Sequence, residues 1–160
     1  MKLPIAKAYE TYADRVFAAA FSVCGNRDDA DDVTQDVFLR YQTAGKDYAD
    51  ENHLKAWLLR VAINRAKDLK TSFRYKNTVP WEDYMGTLEF REPADGDLFR
   101  AVMELPEKYR VPIHLFYYED YSVKEIAKTL RRGEGTVKSQ LSRGRALLKS
   151  KLAEEWNDDE

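Results

Sequence analysis

Apolar residues recur every three or four positions through most of this 160-residue chain, and this spacing constrains the fold more than any other feature. Such spacing places the apolar residues on one side of an α-helix. The first segment is the clearest case, with Tyr9, Tyr12, Ala13, Val16, Phe17, Ala20 and Phe21. We find no alternating pattern typical of strands, so the sequence predicts an all-α protein.

Capping and turn residues divide this pattern into successive helices. Gly25 with the following Asn ends the first helix, Asp97 is a plausible N-cap, and Pro106 suits the first turn of another helix. Ser122 and Glu125 form a capping-box pattern, and a tight turn is predicted at 131–133. The other predicted helices cover residues 28–42, 53–73, 97–105, 123–130 and 134–152.

The stretch 77–96 has no helical periodicity and combines prolines and glycines with acidic residues. This composition predicts a flexible acidic linker. The linker would separate a helical N-terminal domain, 1–76, from a C-terminal helix-turn-helix domain, 97–153. An acidic tail, 154–160, would follow the second domain.

Charge is segregated along the chain, although the formal net charge is only −2. The stretch 28–36 holds five acidic residues and no basic one, whereas 55–76 and 124–151 are strongly basic. Two cationic blocks indicate two surfaces that meet a polyanion, and solvated helix faces are the alternative.

The sequence argues against an enzyme, a metalloprotein and a membrane protein. His53 and His114 lie in different halves, and there is no phosphate loop, nucleophile–base pair or metal-ligand cluster. Cys24 is the only cysteine, which fits a reducing cytoplasm. No apolar run approaches the ~20 residues that span a bilayer. We expect a cytoplasmic protein without cofactor, metal ion or small-molecule substrate.

The last predicted helix has an apolar side and a basic side. A narrow apolar stripe holds Val137, Leu141, Gly144 and Leu148. The opposite side holds Lys138, Ser139, Ser142, Arg143 and Lys149. Cations and short hydroxyls contact phosphates and base edges. Since a helix and a tight turn precede it, this helix is typical of a helix-turn-helix that enters the major groove.

The helix predicted over 53–73 has a second basic side, opposite an apolar side that holds Leu54, Trp57, Leu58, Val61 and Ala62. Its outer residues are predicted to be Arg60, Ile63, Asn64, Lys67 and Lys70. An exposed isoleucine among basic side chains and an amide favours contact with nucleic acid. A solvated face with one stray apolar residue is the alternative.

The helix predicted over 28–42 carries an acidic side instead. Leu39 lies opposite the apolar stripe, among Asp32, Gln35 and Asp36. An exposed leucine within a charged rim is typical of a small protein-binding patch, and acids repel phosphate. Single exposed leucines are also common on ordinary surfaces.

Four segments, in order, resemble the extracytoplasmic-function (ECF) sigma factors of RNA polymerase. Residues 25–39 (GNRDDADDVTQDVFL) are similar to the polymerase-clamp helix, and 56–64 (AWLLRVAIN) resembles the promoter-melting helix. Residues 105–110 (LPEKYR) and 134–143 (EGTVKSQLSR) resemble the domain that binds the upstream promoter element. The resemblance covers about residues 9–152.

The resemblance implies a sigma factor that binds core RNA polymerase, directs it to specific promoters and helps to melt them. The beta-prime clamp would be bound by Asp32, Gln35, Asp36 and Leu39. The minus-thirty-five element of promoter DNA would be read by Arg132, Lys138, Ser139, Ser142 and Arg143, in a domain that also touches the beta flap. The family is often held inactive by an anti-sigma factor.

The N-terminal domain would read the minus-ten element while the duplex opens. The residues that match its DNA-contacting helix are Arg60, Asn64 and Lys67. Tyr48 and Asn52 are our candidates for holding a base extruded from the non-template strand, which costs a few kcal/mol to unstack.

The chain departs from the family pattern at the turn and in the final helix. Arg131 and Arg132 stand where a glycine and an apolar residue are usual, and Gln140 stands where a basic residue is usual. Gly144 replaces an alanine, which should weaken the helix by roughly 1 kcal/mol. Two other functions stay open. One is a stand-alone helix-turn-helix regulator, and the other is a helical adaptor whose basic faces bind acidic proteins.

Overall fold

The computed structural model describes residues 1–71 and 93–158, with side chains as far as Glu154. The described residues form seven helices and no strands, which confirms the all-α prediction. The helices are α1 Ile5–Cys24, α2 Arg27–Thr43, α3 Glu51–Lys70, α4 Gly96–Met103, α5 Glu107–Tyr118, α6 Val123–Leu130 and α7 Glu134–Asp158.

The chain divides into two compact units, one built from α1–α3 and the other from α4–α7. Most of the predicted linker, 77–96, lies outside the described residues, so the domain boundaries at 76 and 97 stay predictions.

Local signals set the helix ends in the first unit. Gly25 adopts φ 75°, which favours glycine, and its N–H donates to the Phe21 carbonyl to end α1. Asn26 and Asp50 cap α2 and α3, each accepting a backbone N–H three residues later. The three helices pack on one another and bury a core from the second half of α1, Val16 to Cys24.

In the second unit the predicted capping box is present. The Glu125 N–H donates to Ser122 Oγ at 3.1 Å, and the Ser122 N–H donates to Glu125 Oε1 at 3.0 Å. Arg131 adopts the left-handed conformation, φ 57°, that ends α6. The Arg132 N–H then donates to the Ala127 carbonyl at 3.0 Å, so the turn before α7 is tight.

Several predicted helix ends are wrong. Helix α3 covers Glu51–Lys70 instead of 53–73, and α4 ends at Met103 instead of 105. Asp97 lies in the first turn of α4, and Asp95 stands at its N-cap. Pro106 is the residue before α5 instead of part of its first turn. Helix α7 continues to Asp158 instead of ending at 152, because no glycine or proline interrupts it there.

Gly144 lies where α7 packs closely against α5. A Cβ at this position would lie 2.9 Å from Ile113 Cγ1 and 3.3 Å from Tyr109 Cβ. The glycine is therefore a packing residue, and the close contact that it permits offsets its low helix propensity.

Candidate functional surfaces

The acidic side of α2 is exposed, as predicted. Leu39 is 61% exposed, Asp32 and Gln35 are exposed, and Asp36 is half-buried. A shallow cavity of about 280 Å³ lies beside Leu39 and is lined by Ile5, Tyr9, Gln35, Phe38, Leu39 and Gln42. The arrangement is an apolar patch with an acidic rim, which suits a protein partner with a basic rim.

Helix α1 contributes a residue to this patch that the sequence pattern assigned to the core. Tyr9 is 37% exposed, and its ring packs edge-on against Phe38 at a centroid distance of 5.0 Å. Burial and the nearby Asp31 raise the pKa of the Tyr9 hydroxyl. Tyr9 lies at the edge of the apolar stripe of α1. The sequence pattern alone does not show which residues of a stripe are buried and which, at its edge, are partly exposed.

Asp36 joins α2 to α3. Its Oδ2 lies 3.1 Å from Arg40 Nε, one turn further along α2, and 3.1 Å from Arg65 Nε on α3. Two guanidinium groups therefore share one carboxylate oxygen of the predicted polymerase-binding face.

The outer side of α3 is polar, but Ile63 is not part of it. Arg60 and Asn64 are exposed and Lys67 is half-exposed, whereas Ile63 is fully buried. The predicted exposed isoleucine is wrong, because α3 packs against both α1 and α2 and buries a wider arc than the sequence pattern indicated. The remaining polar residues still form one cationic side with an amide.

Tyr48 lies inside the first unit instead of on its surface. It is 2% exposed, its ring stacks on Tyr41 at 5.9 Å, and Trp57 and His53 contact it edge-on. The Tyr48 N–H also donates to the Met1 carbonyl at 3.0 Å, so the start of the chain closes over it. In this conformation Tyr48 offers no ring face for a base, which corrects the expected stacking role, while Asn52 is exposed.

Trp57, a member of this cluster, reaches the surface, as His53 does. It is half-exposed, three residues before Arg60 and seven before Asn64, so it lies on the same side of α3. The sequence pattern assigned Trp57 to the core, because an indole is usually counted with the apolar residues.

The two sides of α7 are as predicted. The exposed side holds Lys138, Ser139, Ser142, Arg143 and Lys149. The buried side holds Val137, Leu141, Gly144 and Leu148. Because α6 and the tight turn precede α7, the second unit has a helix-turn-helix with a cationic, hydroxyl-bearing second helix.

Arg132 is partly withdrawn from the surface. It is half-buried, and its Nη1 donates to Gln140 Oε1 at 2.9 Å, while burial lowers the pKa of its guanidinium. Arg131 next to it is exposed. The unusual Gln140 therefore has a structural partner, and the turn that holds the two arginines is tight.

An open apolar groove of about 530 Å³ lies between α4, α5 and α7 in the second unit. It is lined by Leu98, Val102, Tyr117, Tyr118, Arg145, Leu148, Lys149, Leu152 and Ala153. Arg145 Nε donates to the Tyr117 hydroxyl at 2.7 Å, and its guanidinium carbon lies 5.2 Å from the Phe116 ring centroid. Exposed apolar grooves with cationic edges are typical of protein contacts.

Within the described ranges, no group of three or more His, Cys, Asp or Glu side chains could hold a metal ion. No helix of that part of the chain is sufficiently long and apolar to cross a bilayer.

Two family models match the chain, each over one unit. "Sigma-70 region 2" matches residues 8–74, and "Sigma-70, region 4" matches residues 96–148. The chain is 32% identical over 152 residues to the ECF RNA polymerase sigma factor SigE of Mycolicibacterium smegmatis, covering 89% of this chain and 59% of SigE. It is 30% identical to SigL of Mycobacterium tuberculosis, covering 91% of this chain and 87% of SigL.

Solved structures share the fold. The sigma factor RpoE of Bartonella quintana, in complex with the anti-sigma factor NepR, matches with a TM-score of 0.63 and 21% identity, over 92% of this chain and 96% of RpoE. CnrH, in complex with the cytosolic domain of CnrY, matches with a TM-score of 0.60 and 22% identity, over 93% of this chain and 87% of CnrH.

Together, the two sigma-70 regions and the two helical units define a sigma factor, a protein of transcription initiation that directs RNA polymerase to promoters. The chain belongs to the ECF RNA polymerase sigma factors.

Proposed function

We propose that this sigma factor divides its work among three helix faces. The acidic side of α2, with Asp32, Gln35, Asp36 and Leu39, binds the beta-prime clamp of core RNA polymerase. The cationic side of α3 holds the minus-ten element, and the exposed side of α7 reads the minus-thirty-five element. The opposition of charge between α2 and α7, with Leu39 exposed at the centre of the acidic side, carries this assignment.

On α3, the proposed DNA contacts are Arg60, Asn64 and Lys67, with Asn52 at the start of the helix. Trp57 takes the aromatic role first expected of Tyr48, because its half-exposed ring adjoins the polar residues. Aromatic faces stack on extruded bases, and cations beside them bind the phosphates. On α7 the contacts are Lys138, Ser139, Ser142 and Arg143, with Arg132 near the turn as a secondary cation.

Two protein partners follow from the surfaces and from the family. The apolar groove between α4, α5 and α7 is proposed as the contact for the beta flap of the polymerase. An anti-sigma factor is proposed as a second partner, since RpoE and CnrH form complexes with NepR and CnrY. We infer a cytoplasmic protein that acts by binding and not by catalysis, and a stand-alone regulator is not favoured.

Reconstituted transcription tests the proposal. Purified chain is mixed with core RNA polymerase and genomic DNA, and transcript starts are mapped. We expect initiation at a small set of promoters. DNA binding without polymerase contact would indicate a stand-alone regulator, and neither activity would indicate an adaptor.

The variant Leu39→Arg tests the polymerase face directly. A cation in the centre of the apolar patch should reduce co-purification with core polymerase at least 10-fold, since central interface residues cost about 2 kcal/mol or more when lost. Thr11→Arg, at an exposed position of α1, adds the same charge and should leave co-purification unchanged. Equal co-purification of the two variants would refute the patch.

A further inference from the structure

The Asp36 carboxylate is already occupied within the protein. Its Oδ2 contacts Arg40 and Arg65 at equal distances of 3.1 Å, and the side chains of Asp36 and Arg65 are 33% and 35% exposed. Within the described residues this oxygen accepts no aligned hydrogen bond, so both contacts are ion pairs without the directionality of a bidentate pair. The Oδ2 atom is itself buried, although the two side chains are partly exposed, so a competing cation reaches it only by displacing a guanidinium. A poorly aligned ion pair at a partly exposed site is weak and can be exchanged in this way.

Arg65 is held on the side of α3 that faces α2. It lies between Asn64 and Lys67 in sequence, the residues that we propose hold the minus-ten element. While Asp36 retains Arg65, one guanidinium of α3 is neutralised instead of being available to phosphate. The same ion pair partly neutralises the Asp36 carboxylate, which we propose binds a basic side chain of the polymerase clamp.

We propose that the Asp36–Arg65 ion pair is a releasable link, through which polymerase binding on α2 frees Arg65 to bind a promoter phosphate. The inference rests on the proposed function. A basic side chain of the clamp replaces Arg65 at Asp36, and Arg65 turns towards the DNA strand beside Asn64. Since coupling between two ligands is reciprocal, promoter DNA that takes Arg65 also strengthens polymerase binding.

The free protein allows a test without polymerase. Asp36→Asn should release Arg65 and increase affinity for fluorescein-labelled oligo-dT, followed by fluorescence anisotropy, about three- to tenfold at low salt. One new phosphate contact should also steepen the slope of log K against log salt by about 0.7. Circular dichroism confirms that the variant is folded.

Two matched variants separate the link from a general charge effect. Asp28→Asn removes an equal charge from an exposed position at the start of α2, and it should leave the salt slope unchanged. Arg65→Gln should have little effect alone in the free protein, but should cancel the gain of Asp36→Asn when the two are combined. A gain that persists in the double variant, or that Asp28→Asn matches, overturns the inference.

The inference and the proposed function fail in different ways. If the native chain initiates transcription at specific promoters while Asp36→Asn behaves as Asp28→Asn, the link is wrong and the function stands. If the native chain does not initiate transcription with core polymerase, both are wrong.

Discussion

Helices α3 and α7 are both proposed to contact DNA, yet they are buried to very different extents. Over 134–154, the buried residues of α7 are Val137, Leu141, Gly144 and Leu148, and they fall within an arc of about 60° at 100° per residue. Those of α3 span about 180°, because α3 packs on both α1 and α2. A narrow buried stripe leaves a wide exposed side, so the face of α7 could be predicted in full and that of α3 only in part.

The comparison also shows where an apolar pattern becomes ambiguous. Apolar residues occupy more than half of the circumference of α3, so several buried arcs fit the sequence equally well. The sequence pattern selected Trp57 and Val61, which are half-exposed, over Leu59, Ile63 and Ala66, which are buried. Only the positions of α1 and α2 decide which arc is covered.

Ile63→Ala tests the wide buried arc of α3 and should have the largest effect on stability. Removing a fully buried isoleucine side chain costs about 2–5 kcal/mol of unfolding free energy. Urea denaturation of the full chain, with hydrogen exchange to locate the loss in α3, measures it. The exposed neighbour Asn64→Ala should change stability by no more than about 0.5 kcal/mol, and an equally small effect at Ile63 would contradict its burial.

His114 tests the packing of the unit that holds α7. It is buried on α5, neither ring nitrogen has a hydrogen bond within the described residues, and burial lowers its pKa to about 3. The unfolded chain, with an ordinary pKa near 6.5, therefore binds a proton that the folded chain does not. Stability should fall as the pH decreases below 6.5, by about 1 kcal/mol between pH 7 and pH 5.5.

Urea denaturation at the two pH values measures this loss. His114→Phe should remove most of the pH dependence, because no group at this position then takes up a proton on unfolding. If the variant retains the whole slope, other groups cause the acid sensitivity and His114 is not its source.

Gly144→Ala tests the narrow stripe of α7 and should have a smaller effect. Alanine improves helix propensity by about 1 kcal/mol, but the crowding against Ile113 costs about 1–3 kcal/mol. We expect a net loss of about 1 kcal/mol in the second unit by urea denaturation. Gly135→Ala is the control on the same helix, since its Cβ would have no neighbour within 4 Å, and it should not destabilise. A more stable Gly144→Ala protein would contradict the close approach.

Lys138→Gln tests the exposed side of α7 and should barely change stability, by no more than about 0.5 kcal/mol. Loss of one phosphate contact should reduce the slope of log K against log salt for duplex DNA by about 1, measured by fluorescence anisotropy. Lys7→Gln removes an exposed cation from α1 and should leave the slope unchanged. Identical slopes for the two variants would remove Lys138 from the DNA-binding side.

By itself, the sequence determined the order of the helices, the end of α1, the capping box of α6 and the two-sided character of α2 and α7. These features are local, because caps and turns act over three or four residues. A single narrow apolar stripe also allows only one side of the helix to face the core. Gly25, the Ser122–Glu125 capping box and the exposed Leu39 are all of this kind.

Only the tertiary structure decided which residues at the edges of the apolar stripes and in the loops are buried by neighbouring segments. Ile63 is buried, Tyr48 lies under the start of the chain, Tyr9 joins the patch of Leu39, and Asp36 pairs with Arg65. Each of these outcomes depends on a neighbour that is distant in sequence. Periodicity in one helix carries no information about the distance or direction of that neighbour.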